Sequence, residues 1–416
     1  MNKRIILANI WQNIDNDQIL ILNGARQTGK TTLLKMIQKK LISQKKIKES
    51  HIINYDLEKS EDLAIWSDQA TALKLLPKRK DLKHYLFIDE FQKSKTIGST
   101  LKVIHDHHSH IKIIITGSAS WYLDIDESMA GRKKVFNIWP LSFQEYLIWT
   151  NKDNLLPIVE SKDSESLSNH SAIDIINNHY LDYITYGGYP KVVLAGDKAD
   201  KASLLSELVN SYILKDIQLW NYAANTLAVR KLLTLLASQI GSVLSIESLC
   251  QSSAIGRTAL KNRLELLQNT FILLANQPYF TNKQKELVKS PKLYLVDTGL
   301  RNSLLSNFSI LPQTKDFGYL AENSVVTELY KNSSILDKIH FWRTKIGGEV
   351  DIIKKKENDL VPIEVKSGNA NSIPSGLKSF INSYHPTEAY VLNWSIVKDI
   401  DYMKTKVKFR PLWYQI

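Results

Sequence analysis

The feature that most constrains this 416-residue chain is a short apolar run ending in a glycine-bounded turn. Residues 18–22 (Gln-Ile-Leu-Ile-Leu) read as a buried strand, and Gly24-Ala25-Arg26-Gln27-Thr28-Gly29-Lys30-Thr31 follows almost at once. Leu33, Leu34, Ile37 and Leu41 then recur at helical spacing over 31–41. Glycine permits the dihedrals and the close approach that let backbone N–H groups surround a phosphate at a helix N-terminus. Lys30 is spaced to reach β and γ phosphates, and the Thr31 hydroxyl to ligate Mg²⁺. ATP and Mg²⁺ are therefore the expected ligands, with residues 24–31 and the adjoining Thr32 as the ATP-binding segment.

Apolar runs at 51–55, 84–88, 111–115 and 135–138 supply further short strands. Helical stretches separate them, which predicts an α/β domain with a mostly parallel sheet. Tyr85-Leu86-Phe87-Ile88 leads into two carboxylates, Asp89 and Glu90. After a phosphate loop, Asp89 suits the metal's water shell and Glu90 suits polarisation of the attacking water. Ile115-Thr116-Gly117-Ser118 ends the next strand and sets Ser118 beside the γ-phosphate, where it can sense hydrolysis.

The order of these motifs resembles the AAA+ superfamily, and within it the AAA_14-type ATPases of bacteria and archaea whose C-terminal half is the domain called DUF4143. The phosphate loop, Phe87-Ile88-Asp89-Glu90-Phe91-Gln92, Ile115-Thr116-Gly117-Ser118, Ala130-Gly131-Arg132, Pro140-Leu141-Ser142-Phe143-Gln144-Glu145-Tyr146-Leu147 and Tyr186-Gly187-Gly188-Tyr189-Pro190 carry it, over nearly the whole chain. The resemblance implies an arginine finger at Arg132, acting on a γ-phosphate of the same or a neighbouring subunit of a homo-oligomer. The alternative is a surface arginine in a basic run. It also implies that Pro190 packs near adenine, against the alternative of a helix-terminating turn.

A net charge of +12 fits a polyanion partner, nucleic acid with DNA favoured, and fits equally well plain solubility in a lysine-rich chain. A single cysteine, Cys250, excludes an internal disulfide framework and fits a reducing, cytoplasmic setting. The N-terminus carries Asp15 and Asp17 and no small-residue cleavage site, so it does not read as a signal peptide. No apolar run reaches the ~18 to 20 residues that span a bilayer, so no membrane association is expected.

Three domains are expected: 1–225, an ATPase domain with a helical lid; 226–285; and 286–416. Residues 150–172 read as a polar loop, 173–186 as a helix and 204–217 as the helix closing the ATPase module. Helices at 230–240, 245–250 and from Gly256 to Phe271, then a hairpin of 272–275 with 278–280, give the order of a winged helix. Arg257, Lys261 and Arg263 on its third helix suit phosphate contacts or, alternatively, a solvated basic face.

In the last segment, Glu349-Val350-Asp351-Ile352-Ile353 and Leu360-Val361-Pro362-Ile363-Glu364-Val365-Lys366 read as adjacent strands. Asp351 and Glu364 from such strands converge as Mg²⁺ ligands, with Lys366 on the same face as Glu364 and Glu322 arriving from a helix over 320–330. The pattern resembles the PD-(D/E)xK nuclease superfamily, which implies a small α/β domain with Asp351, Glu364, Lys366 and Glu322 as its catalytic set. The alternative is a nuclease-like fold whose carboxylates are structural. Pro362 restricts its strand to an edge or a bulge. Residues 338–416 hold 13 Lys and Arg against 8 Asp and Glu. Two functions follow: an ATPase acting on nucleic acid through a metal-dependent nuclease-like domain, or an ATP-dependent switch whose C-terminal domains only bind.

Overall fold

The computed structural model describes residues 3–117, 129, 131–213, 226–280, 289–312, 314–333, 337–344, 347–357 and 359–416. Ser118 and Ala130 lie outside the described residues. The chain divides into two compact units, one running to Trp139 with Asn269–Phe271, the other comprising Pro140–Gln268 and Ile272–Ile416.

In the first unit, β1 (Ile19–Asn23), β2 (Ile52–Asp56), β3 (His84–Asp89), β4 (Ile111–Gly117) and β5 (Lys133–Asn137) form a parallel sheet in the order β2-β3-β4-β1-β5. Alternate residues feed opposite faces, as strand geometry requires. Ile19, Ile21, Leu86, Ile88, Ile113 and Ile115 join one core cluster, while Leu20, Leu22, Tyr85, Phe87 and Ile114 join another with Leu33, Leu34, Ile37 and Leu41 of the Lys30–Lys45 helix. Both faces are buried, which is why these strands read as unbroken apolar runs. Because the strands are parallel and in register (Leu22 beside Thr116, Ile88 beside Ile115), the chain leaves β1, β3 and β4 at one common edge.

The second unit begins earlier than the boundary expected near 225. The helix His170–Tyr186 belongs to it through side-chain ties: Asn177 donates to the Trp394 carbonyl at 2.9 Å and accepts from the Trp413 indole at 2.8 Å, and the Tyr180 hydroxyl bonds Ser324 at 3.0 Å. Residues 150–172 are not plain loop, since they contain the short helices Asp153–Leu155, Leu156–Val159 and Ser166–Ser168. Of the helix expected at 204–217, the described part closes the helix Lys198–Glu207 and runs on into a π-helical turn, Leu208–Ile213, and residues 214–217 lie outside the described residues.

The helices Thr226–Ser238, Ile246–Ser253 and Arg257–Asn269 follow the expected order, but the hairpin differs. β6 (Leu273–Pro278) continues through 278 and pairs with β7 (Lys292–Leu295), because its far end is engaged by β8 (Lys338–Arg343), with Gln277 beside His340. The boundary expected at 285 lies outside the described residues, which stop at 280 and resume at 289. β9 (Glu349–Lys356), β10 (Asp359–Val365), β11 (Glu388–Asn393), β12 (Lys398–Tyr402) and β13 (Thr405–Pro411) complete a sheet of eight described strands, ordered β12-β13-β11-β10-β9-β8-β6-β7. β8, β9 and β10 run antiparallel, and β11 returns parallel to β10 after the helix Ser375–Tyr384. Pro362 is tolerated inside this sheet because it faces Ile353 on β9 while pairing to β11 starts only at Ile363.

The Gly187-Gly188 pair has a packing cause. The buried Asp297 caps the helix Thr298–Leu304 and also accepts the Gly188 N–H at 2.7 Å. A Cβ on Gly187, whose φ is +74°, would lie 2.0 Å from an Asp297 oxygen, and one on Gly188 would lie 2.2 Å from the Leu141 carbonyl. Gly187→Ala is expected to destabilise the second unit by about 2 kcal/mol or more through left-handed strain and overpacking, measured by urea unfolding. A loss under ~0.5 kcal/mol contradicts that packing.

Candidate nucleotide site and carboxylate centre

The phosphate loop is shaped by what surrounds it. A Cβ on Gly24 would meet the Ile138 carbonyl at 2.2 Å, so only glycine passes there. Gly29, at φ +93°, sits left-handed at the N-cap of the Lys30–Lys45 helix. Arg4 braces the loop, donating to the Thr28 carbonyl at 2.8 Å and to the Trp139 carbonyl at 2.9 Å, and the Thr28 hydroxyl closes back on the Ala25 carbonyl at 2.9 Å. Arg26 and Gln27 are half-buried in the same turn, and Thr32 stands half-buried in the first helical turn. The Lys30 ammonium is buried against the Gly24 and Ala25 carbonyls at 3.1 and 2.9 Å and lies 4.0 Å from Glu90.

The Thr31 hydroxyl donates to Asp89 Oδ2 at 2.6 Å, and the Thr116 hydroxyl donates to Asp89 Oδ1. Glu90 follows in left-handed backbone at φ +53°, its N–H 3.2 Å from the Thr116 hydroxyl oxygen, and its carboxylate accepts from Gln92 Nε2 at 2.6 Å. The turn at 91–92 packs so closely on Gly117 that a Cβ there would lie 2.5 Å from the Phe91 ring. A hydroxyl and a carboxylate side by side at a helix N-terminus are hard oxygen donors of the kind Mg²⁺ takes, so these residues fit a Mg²⁺–nucleotide complex. Thr116, Gln92 and Arg4 were not singled out as site residues. Thr116 was legible, since the residue after Ile115 in a strand parallel to β3 must stand beside Asp89.

Arg132 is at the other end of the sheet. Its carbonyl accepts the Ile19 N–H at 2.8 Å, at the start of β1, whereas the phosphate loop leaves the end of that strand. At a strand rise of ~3.3 Å per residue the separation is about 13 Å, longer than an arginine side chain. Its guanidinium is engaged by Asp106, at 2.8 and 3.1 Å, and holds that carboxyl well below the usual range. That placement does not bring Arg132 to a phosphate on the same chain's loop, which leaves the neighbouring-subunit finger and the surface arginine as its two readings. Pro190 opens a four-residue helix, Pro190–Val193, in the second unit.

The residues expected to form a nuclease-like centre come together in the second unit around an unexpected lysine. Lys292 on β7 places its ammonium 3.0 Å from Glu322 Oε1 and 2.7 Å from Glu349 Oε1, and the Tyr294 hydroxyl donates to the same Glu322 oxygen at 2.6 Å. Asp351 Oδ2 accepts the Val365 N–H at 2.8 Å, and Lys366 reaches Glu364 Oε1 at 2.7 Å. Burial first, and then the charge of Asp351, push both Glu322 and Glu364 up to about 7. Burial likewise raises Asp351. Among the described residues, no group of three or more His, Cys, Asp or Glu gathers closely enough to hold a metal ion. Glu364 Oε2 is buried without a hydrogen-bond partner, but Glu322 and Glu349 are already bridged by the Lys292 ammonium. As they stand, Asp351 and Glu364 do not fit the Mg²⁺ centre expected of them.

Residues 16–147 match the family described as AAA domain. This stretch of the chain is similar to AAA-type ATPase domains. Residues 177–310 and 317–400 match two domains of unknown function, DUF8612 and DUF4143, the first running across positions 225 and 285 alike. An uncharacterized protein of Haemophilus influenzae is 26% identical over 398 residues, covering 92% of this chain and 90% of its own. One from Methanocaldococcus jannaschii is 27% identical over 364 residues, covering 85% and 76%. Among solved structures, a Walker-type ATPase of Pyrococcus abyssi aligns with 73% of this chain and 96% of its own at 14% identity, with a TM-score of 0.48. An ORC2 protein of Aeropyrum pernix aligns with 66% and 88% at 14% identity, with a TM-score of 0.36. Among the described residues, no helix is long and apolar enough to cross a membrane.

The raised carboxyls make stability depend on pH. A carboxyl that keeps its proton to about 7 in the fold, but titrates near 4.5 when unfolded, gives the native state extra bound protons between those values. Its contribution is complete below the unfolded value and is lost as pH rises toward the folded one. The unfolding midpoint of the second unit is expected to fall from pH 5 to pH 7.5, and to fall less in Glu364→Gln. Parallel curves across a series of thermal melts would contradict the assignment.

Proposed function

We propose that this chain is an ATP-driven switch, in which Mg-ATP binding and hydrolysis by the AAA-type domain control how the C-terminal domains engage nucleic acid. The observation that carries the ATPase half is the 2.6 Å contact between Thr31 and Asp89, with Lys30 and Glu90 beside it. The loop N–H groups and Lys30 hold the β and γ phosphates, releasing the ammonium from the carbonyls it now touches. Thr31 would ligate Mg²⁺ and Asp89 would hold its water shell, and the ion supplies charge neutralisation between the phosphates. Glu90, once free of Gln92, accepts the proton of the attacking water.

Three features support nucleic acid as the polyanion engaged. The net charge is +12, three helices precede a β-hairpin in winged-helix order, and Arg257 and Lys261 are exposed on the third helix. The helix Lys315–Asn332, the meander β8-β9-β10, the helix Ser375–Tyr384 and β11 follow the order of a nuclease-like core, which supports affinity for a phosphodiester backbone. Cleavage by that core is the second reading, favoured by the Glu364–Lys366 pair and opposed by Lys292 among the carboxylates.

Two variants test the ATPase assignment in steady-state turnover and fluorescent-nucleotide binding. Lys30→Ala is expected to weaken ATP binding ~10- to 100-fold, the worth of charge-assisted phosphate contacts. Glu90→Gln is expected to retain binding and to slow hydrolysis ~10²- to 10⁴-fold. Parental turnover by Glu90→Gln would remove Glu90 from the mechanism.

A further inference from the structure

We infer that Lys292 is the built-in cation of the carboxylate centre and keeps divalent metal out of it. The inference rests on the switch reading above and assigns the chemistry of its nuclease-like domain. Lys292 and Tyr294 are two residues apart on β7, so both side chains leave the same face of the strand. Both donate to Glu322 Oε1, and the Lys292 ammonium also bridges to Glu349 on β9. The Lys292 side chain is 3% exposed. A buried lysine ordinarily loses charge, yet here burial is outweighed by Glu322, Asp351 and Glu349, which raise its pKa and keep it an ammonium.

Backbone packs against this arrangement. Gly241, at φ +73°, donates its N–H to the Leu293 carbonyl at 2.9 Å, and Leu244 donates to the Pro291 carbonyl at 2.8 Å. A Cβ on Gly241 would stand 3.2 Å from Glu322 Oε2, so the backbone at 241 lies against the glutamate. An incoming cation therefore has to displace an ammonium already held by two carboxylates. The four carboxylates Glu322, Glu349, Asp351 and Glu364 face three cationic groups, Lys292, Lys366 and, 3.7 Å from Glu349, Arg343. Removing the Lys292 charge leaves two positive groups against four acids, with none on Glu322, which favours cation uptake beside it.

The test is Mn²⁺ binding to the full chain without nucleotide, read by the electron paramagnetic resonance of free Mn²⁺ and by calorimetry. Wild-type protein is expected to show no Mn²⁺ binding that depends on Asp351, judged against Asp351→Asn. Lys292→Met, which keeps the bulk and removes the charge, is expected to gain one site at least ~10-fold tighter than any in wild type, and Lys292→Met/Asp351→Asn to lose it. Lys292→Gln serves as a second neutral variant, with circular dichroism reporting the fold of each. Asp351-dependent Mn²⁺ binding by wild type would overturn the inference, as would neutral Lys292 variants that fold and gain no site. Nucleic-acid binding by wild type in EDTA is measured alongside. Its absence would defeat the switch reading while leaving the Mn²⁺ result to decide the role of Lys292.

Discussion

Asp89 accepts two hydroxyl hydrogen bonds at the C-terminal edge of the parallel sheet, one from Thr31 and one from Thr116. Three segments meet at this carboxylate: the helix after the phosphate loop, the end of β3 and the end of β4. Their convergence follows from parallel strands in register, with β4 inserted between β1 and β3. An antiparallel neighbour would send Thr116 to the opposite edge. The glycines at 24 and 117 serve the same end, admitting the Ile138 carbonyl and the Phe91 ring where any side chain would push the loop or the acidic turn away.

Two buried lysines show how much the neighbours decide. Lys112, in the first unit, gathers the carbonyls of Asn13, Asn16 and Gln18 and the Asn16 side chain, all neutral, and burial lowers it to about 7. Lys292, in the second, gathers Glu322 and Glu349 and is raised instead. The first ammonium ties a turn, whereas the second offsets the repulsion of a carboxylate cluster that would otherwise protonate further or recruit a cation. Removing one partner from such a buried set costs more than the pair contributes.

Much of the nucleotide site was legible because its chemistry is local. A phosphate loop is contiguous, and the Asp89-Glu90 pair ends a strand whose apolar run announces it. The strand pair around Asp351 and Glu364 was legible for the same reason, since period-two alternation and a short turn specify neighbours. Lys292 was not. It lies 30 residues from Glu322 and 57 from Glu349 in a four-residue strand, and only the pairing of β6 with β7 and β8 brings it to them. The hairpin's second strand was misread at 278–280 for a related reason: Leu273–Pro278 is one strand whose far half is claimed by β8, and no local pattern reports that partner. The unit boundary at Trp139 rests on ties such as Asn177 to Trp413, 236 residues apart. Gly187-Gly188 was visible as a motif, but its cause, Asp297, is more than 100 residues away.

The most direct test of the nucleotide site is the Mg²⁺ dependence of ATP affinity in wild type and in Asp89→Asn, followed by fluorescent-nucleotide titration. With Asp89 holding the ion's water shell, Mg²⁺ is expected to tighten binding to wild type about 10-fold and to leave the variant within about 2-fold. Equal tightening in both proteins would mean that the ion is held elsewhere, and the convergence on Asp89 would have no part in binding the Mg²⁺–nucleotide complex.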